Sequence, residues 1–278
     1  LEVGVTIQNG TTTKFGGALT AATITTVTLD SVLLLNNTAQ IDGGAIRNWG
    51  HMTIRNSAII SNTARVNGGG ISAVASQTNT LALTLENTTI SGNRADLDGG
   101  GIYLFNSVAR LFNTTVAYNV ADADLNGPAT GGAIDNHQGS FTARNSILAP
   151  NFGTFTVTDP ILFGERDCAG EVKTTGYSLI GPALAHCTYV GPWTYNSVTK
   201  LDTLKYYGGQ TPVHGLLSGS PAIDAGESPN CTDAIGAPIL LDQRGYVRPV
   251  NGGVAGRRCD IGAFELYPQS LFLPLIKK

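Results

Sequence analysis

The sequence predicts an all-β fold, a right-handed parallel β-helix of about six coils with an irregular, disulfide-linked C-terminal cap. Three observations predict it: an Asn-containing motif that recurs through the first half, a Gly elbow that keeps the same rhythm, and short runs of alternating apolar and polar residues with no helical segment between them.

The motif is N-[ST]-x-apolar-x-x-N. It occurs at Asn56–Asn62, Asn87–Asn93, Asn113–Asn119 and Asn145–Asn151, with Asp30–Asn36 and Val3–Asn9 as weaker copies. The starts fall at residues 3, 30, 56, 87, 113 and 145, in steps of 27, 26, 31, 26 and 32. The elbow recurs at Gly16-Gly17, Gly43-Gly44, Gly69-Gly70, Gly99–Gly101 and Gly131-Gly132. Between these markers, runs such as Met52–Arg55 and Leu81–Leu85 alternate with period two.

Three short strands and their turns fill a repeat of this length. Strands that return one coil later lie parallel, about 4.8 Å above the previous ones. Apolar side chains then stack like on like, and the Asn side chains stack into a hydrogen-bonded ladder. The Gly elbows supply positive φ, and the right hand follows from the usual crossover rule. The two longest steps place loops around Ala73–Thr80 and Asp122–Pro128.

Composition narrows the function classes. Charged residues are 13% and hydrophobic ones 42%, which argues against disorder. The net charge of −3, with scattered basic residues, leaves no footprint for nucleic acid. The apolar run Leu271–Ile276 is too short to span a bilayer, so no transmembrane segment is expected. Leu1–Val5 reads as the middle of a strand, as in a mature or truncated chain. Cys168, Cys187, Cys231 and Cys259 lack CxxC spacing, which favours two disulfides over zinc. Three pairings are open, of which Cys168–Cys187 and Cys231–Cys259 are the most local, and free buried thiols are the alternative.

Three regions follow: repeats over 1–151, C-terminal coils and cap over 152–269, and an apolar tail over 270–278. The middle region carries Gly176–Gly181, Tyr207–His214, Gly219–Gly226, Asp242–Gly245 and Cys259–Glu265 in order. With the repeats, this series resembles secreted bacterial β-helix proteins of the choice-of-anchor Q type. The resemblance implies export and a cell-surface or extracellular role, and it implies no reaction. Asp224, Asp242, Arg244, Arg248, Asp260 and Glu265 are expected to form an ion-pair network closing the cap, with Arg244 bidentate to a carboxylate.

No catalytic residue is assigned. A polysaccharide lyase or hydrolase of this fold needs clustered carboxylates with a neighbouring Arg or Lys. The coil region offers Asp42, Asp96, Asp98, Asp122, Asp124 and Asp135. Asp42 and Asp98 precede Gly elbows and read as turn residues, and only Asp135 falls within a strand. Three or more carboxylates with Arg or Lys in one groove would mark an enzyme; the expected outward faces are Thr, Ser and Asn. Asp122, Asp124 and Asn126 match the first half of a calcium loop, but Ala133 stands where the bidentate Glu belongs. Calcium is therefore a weak candidate and no cofactor is assigned. His51, His137, His186 and His214 show no metal-ligand spacing.

At the ends, Val3, Val5 and Ile7 form an open first stack, and the tail carries Leu271, Phe272, Leu273, Leu275 and Ile276. The tail docks either on a second copy, giving a head-to-tail fibre, or back on its own solenoid. The functional expectation is a secreted or cell-surface structural and adhesive β-solenoid, self-associating, with a surface glycan as a further partner. The alternatives are the polysaccharide-cleaving enzyme and a carbohydrate-binding module that stacks sugars on Trp49, Tyr103 or Phe105.

Overall fold

The computed structural model describes residues 4–76, 82–126, 129–156, 161–181, 187–192, 194–195, 198–227, 231–248 and 258–267. Val3 and the tail residues Leu271, Phe272, Leu273, Leu275 and Ile276 lie outside the described residues, as does His186.

The fold is an all-β parallel solenoid. One face is an eight-stranded sheet that begins with Val5–Gln8, Val32–Leu35, Ala58–Ile60, Thr89–Ser91 and Thr115–Ala117, and stacking continues past residue 151 to Thr194–Tyr195. A second face is built from Leu19–Ala21, Ile46–Asn48, Ile71–Val74, Ile102–Phe105 and Ile134–His137. The third is built from Thr26–Asp30, His51–Arg55, Ala82–Glu86, Val108–Phe112 and Ser140–Arg144. Every pair of neighbours within these three faces runs parallel; antiparallel pairs among the described residues include Phe152–Thr156 with Ile161–Glu165 and Leu201–Lys205 with Val213–Leu216.

Like stacks on like inside. Ile7, Leu34, Ile59, Ile90, Val116, Leu148 and Ile180 form one buried column, and Ile46, Ile71, Ile102 and Ile134 another. The third face supplies Met52, Leu83, Ala109 and Phe141, then Ile54, Leu85, Leu111 and Ala143. Its outward column is Thr28, Thr53, Thr84, Arg110 and Thr142, the threonine-rich surface expected.

Each motif position has a physical task. The first residue adopts positive φ, at 51° in Asn56, 45° in Asn87 and 47° in Asn113, a region Asn tolerates well. The second carries a buried hydroxyl that donates to the carbonyl two residues back, as Thr88 does to Glu86 at 2.9 Å. The fourth fills the core. The seventh forms the ladder: Asn37 Nδ2 donates to Asn62 Oδ1, Asn62 to Asn93, Asn93 to Asn119 and Asn119 to Asn151, at 3.0, 2.9, 2.8 and 2.8 Å. Each Oδ1 also accepts the backbone N–H of the Asn on the preceding coil. The second Nδ2 hydrogen of Asn37, Asn62, Asn93 and Asn119 goes to a strand carbonyl, of Ile7, Leu34, Ile59 and Ile90 respectively. These amides are completely buried and completely paired.

The ladder corrects the first two copies of the motif. Leu34, not Leu33, pairs with Ile59, so the second copy runs from Ser31 to Asn37 and the first from Gly4 to Gly10. Asn36 sits at position six with φ 53°, like Ser61 at 55°, and only Asn37 can reach the next coil. Of the expected loops, residues 77–80 and 127–128 lie outside the described residues; Ala73 closes the strand Ile71–Val74.

The elbows need glycine for two different reasons. Gly43 has φ 70°, while Gly44 has no room: a Cβ there would overlap the Gly69 carbonyl oxygen one coil away. Gly44→Ala is therefore expected to lower stability by about 2–3 kcal/mol in denaturant unfolding, because backbone rather than a flexible side chain must yield.

The C-terminal unit is irregular and carries the Cys231–Cys259 pair. It runs back along the eight-stranded face as a clasp, spanning the solenoid from its sixth coil to its second. Gly262 N–H donates to the Asn145 carbonyl at 2.8 Å and Ala263 N–H to Thr115 Oγ1 at 3.1 Å. Thr89 Oγ1 donates to Gln243 Oε1 at 2.6 Å, and Thr211 Oγ1 to the Asn56 carbonyl at 3.0 Å. Leu204 packs on Leu33, Ala58 and Ile60. Nearer the C-terminal coils, Ala117, Ile147 and Leu179 pack with Leu201, Val213, Leu216, Ile261 and Phe264. The outward residues Leu33, Ala58, Ile60, Thr89, Ser91, Thr115 and Ala117 of this face are consequently buried, while Thr6 and Gln8 of the first coil stay exposed. His214, buried under the clasp, bridges Ser91 Oγ at 2.9 Å and the Asp202 carbonyl at 2.8 Å.

Cys168 pairs with Cys187 at a Cα separation of 5.4 Å, and Cys231 with Cys259 at 5.9 Å, within the range of disulfides. The first bond joins the stacked parallel strands Cys168–Thr174 and Cys187–Val190; the second lies in the clasp.

Candidate functional site

Five of the expected charged groups meet in the clasp. Asp242 Oδ2 accepts Nε and Nη2 of Arg244, at 2.8 and 2.6 Å, and the Glu265 N–H at 3.0 Å. Arg244 lies 3.6 Å over the Phe264 ring. Arg248 Nε stands 3.9 Å from Glu265, and Asp260 accepts the N–H groups of Asp224 and Leu266. Asp224 thus joins through its backbone. Asp260, raised to about 6 by burial, is enclosed with the rest. These groups are spent on holding the clasp together.

Asp122 is buried and caps a turn: its Oδ1 accepts Asn126 N–H at 3.0 Å, and its Oδ2 accepts the Thr154 hydroxyl. Asp124 Oδ1 accepts the same N–H at 3.2 Å. Two of the three calcium candidates therefore spend carboxylate oxygens on the turn itself. Val5 is 60% exposed in the first coil, while Ile7 packs against the core.

A different set of residues converges on the second face. The residue before each positive-φ elbow glycine (Gly16, Gly43, Gly68, Gly99 and Gly131, the third one residue ahead of the Gly69-Gly70 read from the sequence) and the residue five later both fall on this face: Phe15 and Thr20, Asp42 and Arg47, Asn67 and Ser72, Asp98 and Tyr103, Thr130 and Asp135. Pairing stacks Thr20, Arg47, Ser72, Tyr103 and Asp135 into one outward column. The elbow side forms its own hydrogen-bonded series. Asn67 N–H donates to Asp42 Oδ1 at 3.0 Å, Asp98 N–H to Asn67 Oδ1 at 3.2 Å, and Thr130 N–H to Asp98 Oδ1 at 2.8 Å. Val74, Phe105 and His137 continue the other edge in register, beside Trp49. The result is a strip along the solenoid axis, lined on one side by turn carboxylates and on the other by aromatic rings.

Its chemistry has two parts. At one end the buried Arg47 guanidinium donates to Asp42 and, at 2.8 Å, to Ser72, and stacks 4.9 Å from both Phe15 and Trp49. Beside Trp49 lies an open depression of about 300 Å³ lined by Thr23, Trp49, Val74, Ala75 and Ser76. At the other end Thr130 Oγ1 donates to Asp135 Oδ2 at 2.9 Å and lies 3.2 Å from Asp98 Oδ1. Burial, then the charge of Asp98, raises Asp135 to about 6. Burial and the nearby carboxylates of Asp135, Asp98 and Asp42 push Tyr103 to about 12. Phe105 stacks on His137 with centroids 5.4 Å apart.

This strip departs from the expected outward faces of Thr, Ser and Asn. Asp42, Asp98 and Asp135 with Arg47 meet the stated count for an enzyme groove, yet Asp42 and Asp98 also serve the turns, as read from the sequence. Of its members, Trp49, Tyr103 and Phe105 were legible as sugar-stacking candidates. The pairing of Thr130 with Asp135 was missed, although the five-residue spacing across each elbow encodes it.

Fold and strip together define a parallel β-helix protein. Residues 87–104 match the Chlamydia polymorphic membrane protein (Chlamydia_PMP) repeat, a segment that contains one Asn motif and the Gly elbow after it. No curated protein and no solved structure matches the chain. No helix among the described residues is long and apolar enough to cross a membrane.

Proposed function

We propose that the chain is a structural and adhesive protein of a cell surface, exported and of the choice-of-anchor Q kind. The strip carries this reading: successive coils hold Arg47, Tyr103 and Asp135 in one column, with Phe105 and Trp49 along its edge, on a rigid scaffold. The match to a membrane-protein repeat supports a surface location. Protease shaving of intact producing cells tests it. Release of the chain into the shaved fraction or its presence in the medium is expected, and recovery from the cytosol alone would overturn it.

A second reading, polysaccharide cleavage, has one observation in its favour: Asp135, raised to about 6 beside Asp98, sits in the range of a general acid. Reducing ends released from a polysaccharide by the wild-type chain, and not by Asp135→Asn, would establish it instead.

A further inference from the structure

The strip's composition restricts what it can hold. Three carboxylates, Asp42, Asp98 and Asp135, face one guanidinium, and that guanidinium is already taken by Asp42 and Ser72. A polyanion, whether nucleic acid or uronan, meets net repulsion there. Asp98 Oδ2 and Asp135 Oδ1 accept no hydrogen bond among the described residues, so the surface offers acceptors to a ligand rich in hydroxyl donors. Trp49, and the part of the Phe105 ring that His137 does not cover, offer apolar surface to C–H groups. Trp49 is fixed from behind by Arg47 and Phe15, whose ring centroid is 5.3 Å away, so little ordering is needed when a ligand seats on it. From Trp49 to His137 the strip crosses three coil steps, about 14 Å at the ordinary strand spacing, the reach of an oligosaccharide rather than of one sugar.

We propose that this strip binds a neutral oligosaccharide lengthwise, with one ring seated on Trp49 in the depression, another over Phe105, and hydroxyls donating to Asp98 and Asp135. The assignment deepens the adhesive reading and rests on it. The acceptors lie at one end and the depression at the other, so both ends of the ligand are held.

An array of neutral oligosaccharides (hexoses and N-acetylhexosamines) and uronate oligosaccharides, probed with the wild-type chain, tests the proposal. Neutral ligands are expected to be retained and uronates not. Trp49→Ala and Phe105→Ala are each expected to weaken binding about tenfold or more, as stacking energies imply, while Thr53→Ala on the threonine face leaves it unchanged. Melting temperatures of the variants separate loss of binding from loss of fold. Retention of uronates alone, of nothing, or of neutral sugars equally by both aromatic variants would overturn the proposal. Adhesion to intact cells that survives both Trp49→Ala and periodate oxidation of the cell glycans would also overturn it, while leaving the surface role standing.

Discussion

Asn93→Ala is expected to be the most damaging single substitution in the solenoid, lowering stability by about 3–5 kcal/mol or preventing folding outright, given costs of about 1–3 kcal/mol per orphaned buried group. Asn93 Oδ1 accepts two donors from Asn62, and its Nδ2 serves Ile59 O and Asn119 Oδ1. Alanine strands these partners in a dry interior that offers no substitutes. Urea unfolding followed by circular dichroism gives the measurement. A loss below about 1 kcal/mol, the worth of one ordinary hydrogen bond, would show that the ladder does not act as a connected unit.

Asp167→Asn is expected to act in the opposite direction, and only above acid pH. Asp167 ends the ladder where an Asn would otherwise stand: Asn151 donates its N–H and Nδ2 to Oδ1, both at 2.8 Å, and Oδ2 has no partner among the described residues. Burial raises this carboxyl to about 8, against the Asn151 hydrogen bonds that lower it. The folded chain therefore keeps a proton that the unfolded chain loses near its ordinary value of about 4. The folded state binds more protons between these values, so stability falls as pH rises from about 4 to 8, by up to 1.4 kcal/mol per unit from this group. Asparagine carries no such proton. Its stability profile over that window should be flatter by this slope, with the variant the more stable at pH 8. Parallel profiles for the two proteins would refute the neutral carboxyl.

The periodic part of the fold was legible because every position of the motif has a local task. A residue tolerant of positive φ, a hydroxyl that bonds two residues back, and an amide that reaches the next coil leave little choice of amino acid. The first two copies were read one residue out of place, since Asn36 and Asn37 are adjacent and only the pairing to Asn62 distinguishes them. The clasp was legible as a unit but not in its position. Its contacts span long separations, such as the 154 residues between Thr89 and Gln243, and no local pattern encodes them. A signal existed in Val32–Leu35 and Ala58–Ile60, whose unbroken apolar character marks strands covered on both sides. Asp167 gave none, because a carboxyl acting as an amide is indistinguishable from a surface acid until its burial is known. The strip was half legible: its aromatic residues stood out, while its acids were read as turn residues, which they also are.

The backward course of the clasp has a consequence for biogenesis. The stretch that shields Leu33 and Ile60 is made well after them, so a greasy flank stays bare throughout elongation and is concealed only upon completion. A chain interrupted before residue 198 would leave this flank open to water.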